Sequence, residues 1–310
     1  SNCIAAVTVA DDDNPCVTCD PPVATCQDIT VEIDSLGIGT LEPANINAGS
    51  AATCGLDKME VSHSSFDCSD AQTTTTVTLY VIDIYSDTAS CSATATIEDN
   101  MAAAVVCNDI TVNLDGSGNG SITTGDVDGG ITENCGVDTR MPSMTDFTCA
   151  NLGTHSITYT VADINGNSGD CIANVIVTED ELPTVSCQDL TVDLDANGSG
   201  SITTGDVETA STDNCGIVSR VLTISNFDCS HVGTNAITYT VADAAGNEGI
   251  CTSNITVNDF MQPTALCKDA TIQLDATGNA TLTTGEVDNG SSDNCEITPV
   301  SYTHLRAHET

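Results

Sequence analysis

Ala236-Ile-Thr-Tyr-Thr-Val-Ala-Asp-Ala-Ala-Gly-Asn247, continued by Cys251-Thr-Ser-Asn-Ile-Thr-Val257, reads as two strands around a tight turn. Ile237, Tyr239 and Val241 fall on one face, with Ile255 and Val257 inward, the period of half-buried strands. Ala244 to Asn247 turns the chain. Working outward, Asp189-Leu-Thr-Val-Asp-Leu194 alternates in the same way, and Ala196-Asn-Gly-Ser-Gly200 is a turn cluster. Ser201-Ile-Thr203 can return as a short strand, and Ile217 to Ser225 is rich in β-branched residues. No helical periodicity of useful length appears. About seven short strands with frequent turns predict an all-β fold, an immunoglobulin-like β-sandwich.

The same text recurs. Cys26, Cys107, Cys187 and Cys267 lie 81, 80 and 80 residues apart, and Cys107, Cys135, Cys149 and Cys171 are spaced 28, 14 and 22, as are Cys187, Cys215, Cys229 and Cys251. A fixed period of this size marks tandem modules. The expected organisation is a last strand of a truncated copy at 1–10 and an acidic, proline-bearing linker insertion at 11–22 with Cys16-Val-Thr-Cys19. Copies follow at 23–102, 103–182 and 183–262, and a truncated fourth at 263–299. Residues 300–310 break the repeat, put Glu309 where a cysteine is due, and read as a translated sequencing adapter rather than native sequence.

Seventeen cysteines in 310 residues at regular spacing indicate an oxidising, extracellular or cell-surface setting. The layout predicts Cys187–Cys251, because first and last sandwich strands run parallel and adjacent, and Cys215–Cys229 across a central segment. The same two pairs are expected in the other copies: Cys26–Cys91 with Cys54–Cys68, and Cys107–Cys171 with Cys135–Cys149. Cys16–Cys19 is read as a linker disulfide. Cys3, Cys267 and Cys295 are left over. Closing a loop of roughly 64 residues contributes about 4 kcal/mol in the chain-entropy account, which matters where aromatic residues are 3% and Trp is absent.

The formal charge of −40, with five Lys or Arg, excludes nucleic acid and anionic lipid as electrostatic partners. No stretch is long and apolar enough to insert in a membrane. Calcium is the candidate cofactor, though none is required for the fold. Asp195, Asn197 and Asp206, and likewise Asp115, Asn119 and Asp126, stand at offsets where a cation loop places oxygens. A Gly/Asn hairpin turn with solvated acids fits the same residues, and the first copy, with Asp34, Leu36 and Ile38, lacks the ligands. A second cation option lies in the acidic linkers, at Glu179-Asp180-Glu181 before Pro183 and at Asp259 before Pro263, with Asp163 and Asp243 from neighbouring turns. No nucleophile–base constellation appears around His63, His155 or His231, so the chain is not read as an enzyme.

Cys187-x-Asp189-Leu-Thr-Val192, Phe227, Gly233-Thr234, Ile237-Thr-Tyr-Thr-Val-x-Asp243, Gly246-Asn247, Cys251 and Val257-x-Asp259-x-x-x-Pro263 together resemble the hyalin repeat and its relatives in large bacterial surface proteins. The resemblance covers residues 1 to about 299. It implies that the outer cysteines pair, and it implies adhesion or spacing with a glycan or protein ligand unnamed. Neighbouring repeats of the same chain are the other expected partners. The function read here is a structural or adhesive stalk of a large secreted or cell-surface bacterial protein. The alternative is a non-catalytic accessory or glycan- or protein-binding region of a secreted multidomain hydrolase.

Overall fold

The computed structural model describes residues 20–297. The segment 1–10, nearly all of 11–22 with Cys16 and Cys19, and the tail 300–310 lie outside the described residues.

The third copy displays the plan. Its strands are Thr184–Cys187, Leu190–Asp193, Ser199–Ser201, Glu208–Thr212, Ile217–Leu222, Asn226–Asp228, Gly233–Asp243 and Glu248–Asn258. Four of them form one sheet, in the order Leu190–Asp193, Glu248–Asn258, Gly233–Asp243, Ile217–Leu222. Its first pair is parallel, Leu190 opposite Ile255 and Val192 opposite Val257. The long hairpin is antiparallel from Gly233↔Val257 to Ala242↔Glu248. Two short ribbons complete the copy: Thr184–Cys187 with Glu208–Thr212, and Ser199–Ser201 with Asn226–Asp228. Ile237, Tyr239, Val241, Ile255 and Val257 pack from the sheet against Ile202, Val207 and Phe227. The alternation read in the sequence is this buried face, and two β layers over one core make a sandwich. The first copy repeats the plan, with a four-stranded sheet of Ile29–Glu32, Thr88–Glu98, Thr73–Asp83 and Leu56–Val61. Isolated bridges Val23↔Ala51 and Cys26↔Asn47 replace one of its ribbons.

The short helices come from capping. Thr203 donates its N–H and hydroxyl to Asp206 Oδ2 at 2.7 and 2.6 Å, which winds one turn, Thr204–Val207, and buries Val207. In the core, Tyr239 is fully buried and its hydroxyl donates to Glu208 Oε2 at 2.8 Å. Burial, and then that carboxylate, push the phenol above its ordinary range. Tyr239→Phe is expected to cost about 1.5–3 kcal/mol in a thermal melt, the worth of a hydrogen bond to a charged group. Glu208 keeps its pair with Arg220 at 3.0 Å.

Compactness divides the chain inside the middle copy. One unit runs to Thr111 and adds Ser121–Thr145 and Thr154–Val175. The other holds Val112–Gly120, Asp146–Gly153 and the chain from Ile176. Within the first, Ala104–Cys107 pairs with Asp128–Thr132, and Val137–Pro142 pairs with the strand ending at Asp163. In residues 263–297 the long hairpin has no counterpart. Among the described residues there, only the bridges Thr264↔Ser292 and Cys267↔Asp288 and the one-turn helix Thr284–Val287 form.

The outer disulfides are Cys26–Cys91, Cys107–Cys171 and Cys187–Cys251. The inner pairs differ from expectation. Cys54–Cys68, Cys135–Cys149 and Cys215–Cys229 do not form. Instead Cys68 joins Cys135, Cys149 joins Cys215 and Cys229 joins Cys295, each bond reaching from one copy to the next. Cys54 is disulfide-bonded, though not to Cys68. Cys295 therefore has a partner, and Cys267 is the free thiol among the described residues. Strand geometry gives the reason. Cys215 precedes Ile217, which lies opposite Asp243, the end of the 11-residue strand Gly233–Asp243. Cys229 lies just ahead of the start of that strand. An 11-residue strand spans about 36 Å, whereas a disulfide needs Cα atoms within about 7 Å.

Each staple between copies is seated on a glycine. Gly198 has φ +70°, and a Cβ on it would lie 2.7 Å from Cys229 Sγ and 2.9 Å from the Asn294 carbonyl oxygen. Gly118 has the same relation to Cys149 and Asn214. Gly198→Ala is expected to lose about 1–3 kcal/mol from backbone strain. It should also expose free thiols at Cys229 and Cys295, countable by alkylation and mass spectrometry.

Candidate cation site at the junctions between copies

At the first two junctions, three segments distant in sequence meet. They are the acid that ends one copy, the Asn-Cys of the next, and the turn of the next copy's long hairpin. At the first junction Asp99 is fully buried and Asp163 is 2% exposed. Asp99, Glu133 and Asp163 can each aim one carboxylate oxygen so that all three lie within 4.8 Å of one another, the one such acidic trio among the described residues.

The hydrogen bonds show how they are held. Asn167 Nδ2 donates to the Asp99 carbonyl and to Asp163 Oδ2, both at 2.8 Å. Asn165 Nδ2 donates to Asp99 Oδ2 at 2.7 Å. Asn134 Nδ2 donates to Asp99 Oδ1 and to the Asp34 carbonyl in the preceding copy, both at 3.1 Å. Glu133 Oε1 accepts the N–H groups of Asn134 and of the stapled Cys135. The other oxygens of these two side chains, Glu133 Oε2 and Asn134 Oδ1, are buried without a partner. Buried, unpaired oxygens are costly unless something binds them.

The second junction repeats the set with the acids exchanged. Glu179 stands for Asp99, and Asp213 for Glu133. The longer Glu179 reaches Asn247 Nδ2 directly, at 3.0 Å, where Ala245 replaces the bridging Asn165. Cys215 N–H donates to Asp213 Oδ1 at 2.8 Å, and Asp213 Oδ2 and Asn214 Oδ1 are again buried and unpartnered. Burial, reinforced by the Asp243 and Asp213 charges, holds Glu179 above the ordinary carboxylate range. At the third junction Asn294 Nδ2 donates to Asp259 Oδ1 at 3.2 Å, and Asn294 Oδ1 is unpartnered. In the first copy the equivalent of Asp163 is Asp83, 1% exposed, with Oδ2 unpartnered because Asp87 replaces the amide of Asn167.

Carboxylate and amide oxygens, several of them converging and some unsatisfied, are the donor set a hard divalent cation takes. Asp163, Asp243 and Asp259 thus stand at junctions. Asp180 does not join them. It is exposed and accepts Asn113 Nδ2 at 2.9 Å, while its neighbour Glu179 turns inward. The loop residues lie apart from the junction acids and make local hydrogen bonds. Asp195 Oδ1 accepts the N–H groups of Asn197 and Ser199, and Asp115 Oδ1 those of Ser117 and Asn119. Asp126 and Asp206 cap their one-turn helices. In the first copy Asp34 makes the same turn with Leu36 and Ile38 and no ligand set, so the turn needs no cation.

Residues 179–257, almost the whole third copy, match the HYR domain family. The modules of this chain are hyalin-repeat-like. Hyalin of Strongylocentrotus purpuratus is 36% identical over 124 residues, which cover 37% of this chain and 10% of that protein. This chain therefore spans about a tenth of the length of its curated relative. Among solved structures, the protocadherin gammaB4 extracellular domain is similar over 84% of this chain and 53% of its own, with 16% identity and a TM-score of 0.30. The titin I-band fragment I67–I69 is similar over 77% and 99%, with 10% identity and a TM-score of 0.31.

Proposed function

We propose that this chain is a stretch of a non-catalytic, adhesive or spacing stalk of a large secreted or cell-surface bacterial protein, its junctions stiffened by calcium. The observation that carries the reading is the junction itself. The linker acid and the Asn-Cys pair recur at three copy boundaries, joined at the first two by the hairpin-turn Asp, so buried polar groups fix one module against the next. The hyalin-like modules and the disulfides support an extracellular setting. No helix among the described residues is long and apolar enough to cross a membrane.

Calcium titration followed by calorimetry tests the cation. A melting temperature that rises with calcium and falls back with chelator supports it, and an unchanged melt refutes it. The pH dependence is specific. Glu179 keeps its proton in the folded chain above its ordinary value of 4.5. Between that value and the raised one, the folded state binds more protons than the unfolded state. Its contribution to stability is thus present below the window and lost as pH rises through it. Calcium takes the proton's place, so the calcium-induced rise should be full at pH 7.5 and vanish on acidification through the window. Antibody labelling of intact cells tests the stalk reading, which an exclusively intracellular signal would overturn.

A further inference from the structure

The outer disulfide of each copy closes a loop over most of the module: Cys26 to Cys91, Cys107 to Cys171, Cys187 to Cys251. Between these loops lie linkers that no outer bond encloses, 16 residues from Cys91 to Cys107 and 16 from Cys171 to Cys187. The linkers reach solvent. Met101 is 40% exposed, Leu182 65% and Phe260 73%. Asp180 and Glu181 beside Leu182 are exposed too. Exposed connecting tips are where proteases nick a folded chain.

The staples enclose these linkers. Cys68–Cys135 spans 91–107, Cys149–Cys215 spans 171–187, and Cys229–Cys295 spans the stretch after Cys251. Outer and staple loops alternate along the chain, and each overlaps the next. Every peptide bond from Cys26 to Cys295 therefore lies inside at least one disulfide loop. A protease adds one water across one peptide bond, leaving a carboxylate and an amine, and breaks no S–S bond. One cut in this range is thus bridged by the bond that encloses it. After two cuts, the bond across each still ties the end pieces together, directly or through the middle piece. Three cuts in interleaved loops are the fewest that part the ends. Had Cys215 paired with Cys229 and Cys135 with Cys149, one cut in a linker would have done so.

We infer that the array is a nick-tolerant covalent tether: its linkers are open to extracellular endoproteases, and the staples keep the chain continuous after they are cut. The task differs from stiffening a junction. It needs neither a cation nor the stalk reading, because it stands on bond topology and on the exposure of the linkers.

The test is brief digestion of the full chain by a glutamate-specific endoprotease, with free thiols alkylated first. Products are compared by electrophoresis with and without reductant and mapped by mass spectrometry. Cleavage after Glu181 should give two fragments only in the reduced sample, and the unreduced product should weigh as much as the uncut chain plus one water. In the variant Cys149→Ser with Cys215→Ser, the same cut should separate the fragments without reductant. Exhaustive trypsin is the harsher check. Its cuts after Lys58, Arg140, Arg220 and Lys268 leave each piece joined to the next by one bond. Residues up to Arg306 should therefore stay in one unreduced assembly. Parting of singly cut or trypsin-cut parent chains before reduction, or native linkers that resist cleavage, would overturn the inference. The parent's record decides even if the variant fails to fold. Absence of the protein from cell surfaces would sink the stalk reading and leave this result standing.

Discussion

Cys187→Ser with Cys251→Ser should lower the stability of the third copy by about 4 kcal/mol, with its melting transition separating from the rest of the chain. The bond closes a 64-residue loop that spans the whole sandwich, for which the chain-entropy account gives about that figure. Little else can make up the loss. The copy's largest buried side chains are Tyr239 and Phe227, and its sheet is completed by a parallel pair of only four residues, Leu190–Asp193. That strand meets Ile255 three residues after Cys187, so the bond also holds the parallel register. A staple closes a loop of almost the same size, 66 residues for Cys149–Cys215, but it ends in two different copies. Its removal should broaden the calorimetric transition by uncoupling the copies while leaving the third copy's own core intact. Calorimetry of the two double variants separates the cases, and equal losses in the same transition would contradict this assignment of roles.

What the sequence disclosed follows from what is local or periodic. Ile237, Tyr239 and Val241 alternate because one sheet face is buried, and no distant residue is needed to see it. The outer disulfide was legible because a sandwich puts its first and last strands side by side. The staples were not, and the period itself is the reason. Cys229 and Cys295 are 66 residues apart, the 80-residue repeat less the 14 that separate two inner cysteines, so both pairings keep the period. Only the position of strand ends chooses, and Cys215 and Cys229 sit at opposite ends of one long strand. The turn acids read two ways for a related reason: Asp195 with oxygens two and four residues on is the pattern of a side chain capping its own turn as well as of a cation loop. The first copy held the signal, since Asp34 keeps the aspartate where the other oxygens are gone. Asp163 and Asp243 could be placed near a junction from their turns. Glu179 could be placed there from its acidic linker. Their companions Asp99, Glu133 and Asp213 come from other segments, and only the columns 99, 179, 259 and 133, 213, 293, acidic at all three boundaries, hint at them.

Glu133→Gln with Asp213→Asn is the change that isolates the cation. In each case the substitution keeps the oxygen that accepts from the following Asn-Cys backbone, Glu133 Oε1 or Asp213 Oδ1. It replaces the buried, unpartnered oxygen with an uncharged amide. Without calcium the variant should be as stable as the parent or slightly more so, because each junction loses a carboxylate that burial and neighbouring acids disfavour. With calcium at a hundred times its dissociation constant the parent should gain about 2.7 kcal/mol per occupied junction, and the variant little of it. The opposite signs matter, because a purely structural role for these acids would make the variant weaker under both conditions. The exchange of lengths between Asp99–Glu133 and Glu179–Asp213 points the same way. Two carboxylates that reach toward one centre from two copies can trade a methylene only if the centre between them is what the pair must meet. Isothermal titration of the parent should then show comparable affinity at both junctions. At the third junction Asp259 and Asp293 are both short, and binding there should be weaker.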